Sequence, residues 1–203
     1  MNRPDGNINT VANVLTVTGG ALVAKGLREG IDTPTGLTLV AAGRAADLID
    51  GPTARARYED SDLGAILDAS FDKVGCAAIA FSMYRKDIVP TPVFIGMATQ
   101  NIANGIATAK AQKAHPEQKL LPSKKGKLAM FAQNVALLSY NYSHLSDKKA
   151  QELSAANSKQ AGDIEKYKRR AKISRTVGHV ASGIGVIGLG VPATLGYVKR
   201  AKK

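Results

Sequence analysis

A single cysteine, no tryptophan and three scattered histidines leave little room for several common chemistries. One cysteine, Cys76, excludes an intrachain disulfide and a multi-cysteine zinc site. Its expected state is a buried, inert thiol. His115, His144 and His179 are far apart in the chain and lack a helical i, i+4 pairing, so no histidine metal centre is expected and each reads as a surface or loop residue. The aromatics are six Tyr and four Phe, few for a surface that stacks bases, and no nucleic-acid motif is present. The N-terminal stretch MNRPDGNINTVANVLTV has one basic residue followed by Pro and Asp, with no small-residue cleavage site, so no secretory signal is expected. Long apolar runs are also rare.

Acids are the scarcer charge. Against 28 Lys+Arg stand 16 Asp+Glu, for a net charge of +12 and a pI of about 9.9. That excess calls for an anionic partner: nucleic acid, phosphate-bearing substrates, or a leaflet rich in acidic lipids. Hydrophobic residues make up 44% and mean hydropathy is −0.10, values typical of a soluble helical protein. The 203 residues suffice for one domain, spanning 1–203, with no internal repeat.

The pattern along the chain is helical. Apolar segments run from Val11 to Ala24, from Thr33 to about Ala56, from about Leu63 to Tyr84, from Val93 to about Ala109, from Leu128 to Tyr142 and from Thr176 to Val198. Asn9 or Thr10 is a cap for the first. Thr33-Pro34 is a start signal for the second, with Thr33 as cap and Pro34 in the first turn. A polar stretch, 143–175, predicts a solvent-exposed helix or hairpin. The last segment has only His179 as a potentially charged group and is long enough to cross a bilayer. Its glycines allow close helix approach.

Seven of the 16 acids crowd into positions 47–73. Asp47 and Asp50 are one helical turn apart, as are Asp68 and Asp72, so each pair shares a helix face. A short connection near 58–62 makes the two helices antiparallel neighbours and can bring the four carboxylates together. Four close anions repel unless a cation sits among them. Oxygen-only ligands point to a hard divalent ion, Mg²⁺ or Mn²⁺ ahead of Ca²⁺. Gly51, Ala54 and Gly64 leave space beside them, and Arg55 offers a fixed cation for phosphate. Carboxylates, a divalent ion and an arginine form a phosphoryl-transfer set. Such acids also occur as a solvated helix face, here balanced by Arg44, Arg55 and Arg57; the fixed glycines and the Ala-Arg pair favour the functional reading.

Those eight positions, Asp47, Asp50, Gly51, Ala54, Arg55, Gly64, Asp68 and Asp72, spell D-x2-D-G-x2-A-R-x8-G-x3-D-x3-D. The pattern resembles the signature of the CDP-alcohol phosphatidyltransferase family. A chance match is on the order of 10⁻¹⁰ per start position. Asn13 and Thr16 are similar to the family's Asn-x-x-Thr on its first transmembrane helix, near the nucleotide. SKKGKLAMFAQ, 123–133, is similar to the Gly-Lys…Gln start of the fifth helix in phosphatidylglycerophosphate and phosphatidylinositol-phosphate synthases. Two departures bear on the acceptor: Ala69 follows Asp68 where many glycerol-phosphate-specific members have Pro, and Thr99-Gln100-Asn101 stands where they often have Arg-Glu.

The resemblance implies an all-α, six-helix transmembrane bundle in the cell membrane, with its active site near the cytoplasmic interface. It implies a donor such as CDP-diacylglycerol and an acceptor such as glycerol 3-phosphate or inositol phosphate. Asp47, Asp50, Asp68 and Asp72 would hold Mg²⁺ or Mn²⁺, with Asp72 also as the base. Gly51, Ala54, Arg55, Gly64, Asn13 and Thr16 would surround the nucleotide. Lys124, Lys127 and Arg175 would meet the acceptor phosphate. It also implies membrane lipids as partners and allows a homodimer, with no nucleic acid. The alternative from charge alone is a non-catalytic basic helical protein on a membrane surface or nucleic acid.

Overall fold

The computed structural model describes residues 11–57, 62–116, 123–156 and 161–201, with 11–13, 47–48, 50 to 57 and 62–73 described in backbone only. Among the described residues there is no strand. The helices are α1 (Val11–Glu29), α2 (Pro34–Arg57), α3 (Asp62–Arg85), α4 (Thr91–Ala114), α5 (Lys124–Ala155), α6 (Ala161–Gly183) and α7 (Val191–Arg200). A π-helical segment, Ile184–Gly190, joins α6 to α7 in one unbroken rod. The described residues thus make six rods, matching the six apolar segments. Only the rod Ala161–Arg200 is, among them, long and apolar enough by itself to read as a membrane span.

Two compact units divide the chain, Met1–Lys86 and Asp87–Lys203. In the first, α1 packs against α2 and α3. The α1–α2 connection is set by local chemistry. Gly30 ends α1 with φ +98°, the left-handed conformation that glycine adopts at least cost. Thr33 then caps α2: its Oγ1 accepts from the Gly36 N–H at 3.0 Å and donates to the Gly30 carbonyl at 2.8 Å. Ile31 is buried beneath this turn, and Asp32 pairs with Lys86 at 2.6 Å. The predicted Thr33-Pro34 start is therefore present. The predicted Asn9 or Thr10 cap of α1 lies outside the described residues.

The α1–α2 contact is backbone on backbone. A Cβ on Gly43 would stand 2.5 Å from the Gly19 carbonyl oxygen and 3.0 Å from the Val23 nitrogen. One on Gly26 would meet the Gly36 carbonyl oxygen at 2.7 Å. No side chain fits at either position, which is the small-residue mode of helix association.

In the second unit α5 and α6 pair along their length, and α4 packs on the π-helical segment and α7. Small residues point inward: Ala107, Ala111, Ala129, Ala136, Ala171 and Ala181 are all buried. The polar groups among them are bonded. Gln133 Nε2 donates to Gln100 Oε1 at 2.8 Å, and Asn101 Nδ2 donates to Gln133 Oε1 at 2.9 Å. Tyr140 Oη and His179 Nδ1 lie 2.6 Å apart. Many large apolar side chains point outward, among them Ile102, Phe131, Val180 and Ile187, while Met97, Leu137, Tyr140 and Tyr197 are buried.

The sequence places the fifth apolar segment at Leu128–Tyr142, but α5 runs on to Ala155. The polar stretch 143–175 is thus shared between the end of α5 and the start of α6, a helical hairpin. Small residues make this possible: Ser143, Ser146, Ala150 and Ala171 are buried between the legs. His179 is exposed, as expected of a surface residue, but lies inside a helix and not in a loop. Cys76 is half-buried within α3.

The π-helical segment changes which side of the rod is covered. Buried positions run 178, 182, 185 and then 190, 193, 197. The step from 185 to 190 is five residues, where an α-helix steps by three or four. The Val191 N–H donates to the Val186 carbonyl, five residues back.

Candidate active site

The signature occupies the last three turns of α2 and the first three turns of α3. Asp47, Asp50, Gly51, Ala54 and Arg55 lie on the first of these helices and Gly64, Asp68 and Asp72 on the second; their side chains, and the connecting residues 58–61, lie outside the described residues. The helical backbone confirms the register that the spacing assumed.

That register links the motif to the packed face of each helix. On α2 the buried positions against α1 are Gly36, Val40 and Gly43; the same line continues through positions 47, 50 and 54. On α3, Ile79 and Met83 are buried, and steps of a turn lead back through 76 to 72 and 68. Both pairs of aspartates thus stand on lines that, further along each helix, are interior.

The antiparallel register of α1 and α2 adds the sixteenth residue to this end. Gly26 is level with Gly36 and Val40, and Gly19 with Gly43. One turn further, Thr16 is level with position 47, and Asn13 with position 50. Thr16 is buried; the Asn13 side chain lies outside the described residues. A cavity of about 190 Å³ opens one turn below, among Gly19, Val23, Gly43, Arg44, Val74 and Gly75. Its lining is apolar apart from Arg44.

Among the described residues no group of three or more His, Cys, Asp or Glu is placed to hold a metal. The motif supplies a different donor set, four carboxylates in two one-turn pairs and no nitrogen or sulfur ligand, which suits a hard divalent cation.

In the second unit, Lys124 and Lys127 are exposed in the first turn of α5. Ser123 caps that turn, its Oγ accepting from the Gly126 N–H at 3.0 Å. The Ser123 N–H donates to the Tyr197 hydroxyl at 3.0 Å, and His115 Nε2 contacts the Arg200 carbonyl oxygen at 2.9 Å. These bonds bring Lys199 and Arg200 of α7 to the same end as Lys124 and Lys127. The chain's KRAKK ending was the signal for them; only the fold shows which lysines they join.

Arg175 is elsewhere. It pairs with Asp147, twenty residues beyond Lys127 on α5, or about 30 Å along the helix at 1.5 Å per residue. Lys127 and Arg175 therefore cannot grip one phosphate, and the expectation that grouped them is corrected on that geometry. Gln100 and Asn101, marked in the sequence only as a departure from the family pattern, hold Gln133 in place across α4 and α5.

The family model for CDP-alcohol phosphatidyltransferases matches residues 7–159, which include the whole signature. No curated protein and no solved structure matches the chain. The family match sets aside the non-catalytic alternative, because the family is one of phosphotransferase enzymes. Three-quarters of the sequence, and both helices that carry those carboxylates, accordingly place this chain in the CDP-alcohol phosphatidyltransferase family, membrane enzymes that transfer a phosphatidyl group from a CDP-alcohol to an alcohol.

Proposed function

We propose that the protein transfers the phosphatidyl group of CDP-diacylglycerol to a hydroxyl of a small phosphorylated polyol, glycerol 3-phosphate or inositol phosphate, and releases CMP. The carrying observation is the eight-position signature on two helices whose backbone register matches its spacing. The site lies in a multi-pass bundle, near the cytoplasmic face of a cell membrane. Outward-facing large side chains over a small-residue interior support the membrane placement, since such a surface suits lipid and aggregates in water.

Asp47, Asp50, Asp68 and Asp72 would hold Mg²⁺ or Mn²⁺. Bound there, the ion offsets negative charge on the donor diphosphate and on the departing CMP. Asp72 takes the proton from the acceptor hydroxyl. The acceptor oxygen then bonds to the phosphorus that bears diacylglycerol, and the bond from that phosphorus to the CMP oxygen breaks. Arg55 binds diphosphate oxygens. Gly51, Ala54 and Gly64 leave room for the nucleotide, with Asn13 and Thr16 at its edge. Lys124 and Lys127 bind the phosphate of the acceptor.

The test is CMP release from CDP-diacylglycerol by detergent-solubilised protein, with Mg²⁺ or Mn²⁺ and with each acceptor in turn. Asp68→Asn is expected to lower turnover by about a hundredfold or more. Full turnover by that variant would remove the metal assignment. Equal CMP release with and without both acceptors would remove the acceptor class.

A further inference from the structure

The hairpin of α5 and α6 reaches beyond α4. Gly96 of α4 faces Val186, and α4 begins only five residues before it, at Thr91. The legs beyond that level hold to each other. Ser143 Oγ donates to the Ala171 carbonyl at 2.9 Å, Ser174 Oγ donates to the Ser139 carbonyl at 2.8 Å, and Arg175 pairs with Asp147.

The outer side of this hairpin is strongly cationic. Lys166, Lys168, Arg169, Arg170 and Lys172 are five basic residues in a run of seven with no acid, and all five are exposed. Arg170 is braced over the Tyr167 ring, 5.6 Å from its centroid. The helix that carries them continues without a break into the apolar stretch that begins at Thr176. Lys172 and Lys166 precede Thr176 by four and ten residues, about 6 and 15 Å along the axis. A headgroup layer adds roughly 5–7 Å to each side of the hydrocarbon core, and long basic side chains lean back toward it. The nearer cations, Lys172, Arg170 and Arg169, therefore reach the level of lipid phosphates, with Lys168 and Lys166 just outside it.

We propose that this face of α6 binds the phosphates of anionic phospholipids, in the leaflet opposite the one at the Lys124–Lys127 end. The inference rests on reading 176–198 as a membrane span. The family match ends at residue 159, so the face lies outside it. Phosphatidylglycerol fits by charge, because its phosphodiester carries no compensating ammonium group. Phosphatidylcholine neutralises its own phosphate and competes poorly.

The full-length protein, reconstituted in phosphatidylcholine vesicles, tests this with trace spin-labelled phosphatidylglycerol or spin-labelled phosphatidylcholine. The immobilised fraction of each label is compared. The wild type is expected to favour phosphatidylglycerol about fivefold or more. Replacing Lys168, Arg169, Arg170 and Lys172 together by Gln is expected to cut that preference at least in half. Exchanging the same four between Lys and Arg is expected to keep it, and circular dichroism of both variants checks that the helices are intact. A Gln variant as selective as wild type overturns the proposal. So does a wild type with no preference, the outcome expected if the face serves an acidic protein, and so does loss of the preference in excess inorganic phosphate, which would mark a free-phosphate site. An alkaline wash of the vesicles separates the underlying reading: protein released by it would not span the membrane, whatever its lipid preference.

Discussion

Two antiparallel helix pairs, α1–α2 and α5–α6, are held together in different ways. In α1–α2 the backbones touch through Gly43 against Gly19 and Gly26 against Gly36. In α5–α6 the helices meet through serines and alanines, hydroxyl to carbonyl. The first arrangement permits no side chain at the contact, so the separation is fixed by backbone atoms alone. The second keeps a layer of side chains between the helices, serines and alanines together with Tyr140, which packs on Gly178. The rigid pair carries Asp47 and Asp50, two of the four carboxylates proposed to bind metal, with Asp47 one turn beyond Gly43. A phosphoryl-transfer site depends on positioning, and in the proposed site the tight pair would supply it for Asp47 and Asp50.

The contrast breaks most severely at Gly43. Gly43→Leu is expected to cost about 3 kcal/mol or more, and to abolish turnover because the helix bearing Asp47 and Asp50 is pushed away. Thermal unfolding in detergent and CMP release measure the two effects. Gln133→Leu comes next. It strands the Gln100 and Asn101 amides, at about 1–3 kcal/mol, and should lower the unfolding temperature more than turnover. The α5–α6 pair should yield less: Ser143→Ala with Ser174→Ala is expected to cost about 1 kcal/mol in total. If this double variant matched Gly43→Leu in effect, the distinction between the two pairs would be lost. Arg175→Gln is the smallest, at about 0.5 kcal/mol for a largely exposed ion pair. It should leave KM for the acceptor unmoved, whereas Lys127→Ala should raise it about tenfold.

Local signals were readable wherever the chemistry is local. Thr33-Pro34 starts a helix because a hydroxyl and a preset φ act within one turn. The aspartate spacing is a helical period, so its register survives in the backbone. Longer-range facts were not readable. Nothing in the sequence period distinguishes serines that line a helix pair from serines in water, so the polar continuation of α5 was hidden. Arg175 looked like a partner for Lys127 because charge carries no address; only its pairing with Asp147, 28 residues away in sequence, shows that it faces the other end of the unit. The glycine-rich stretch before α7 gave no hint of a π-helical segment, since glycine suits tight packing and altered hydrogen bonding alike.

That segment works as a phase shifter. One surplus residue turns everything after it by about 100° about the axis, so a single rod offers its α6 side to α5 and its α7 side to α4. Deleting one residue between Ile184 and Gly190 would straighten the hydrogen-bond ladder and at the same time swing Tyr197 away from Ser123. The bundle's cationic end is thus timed by an irregularity several turns distant.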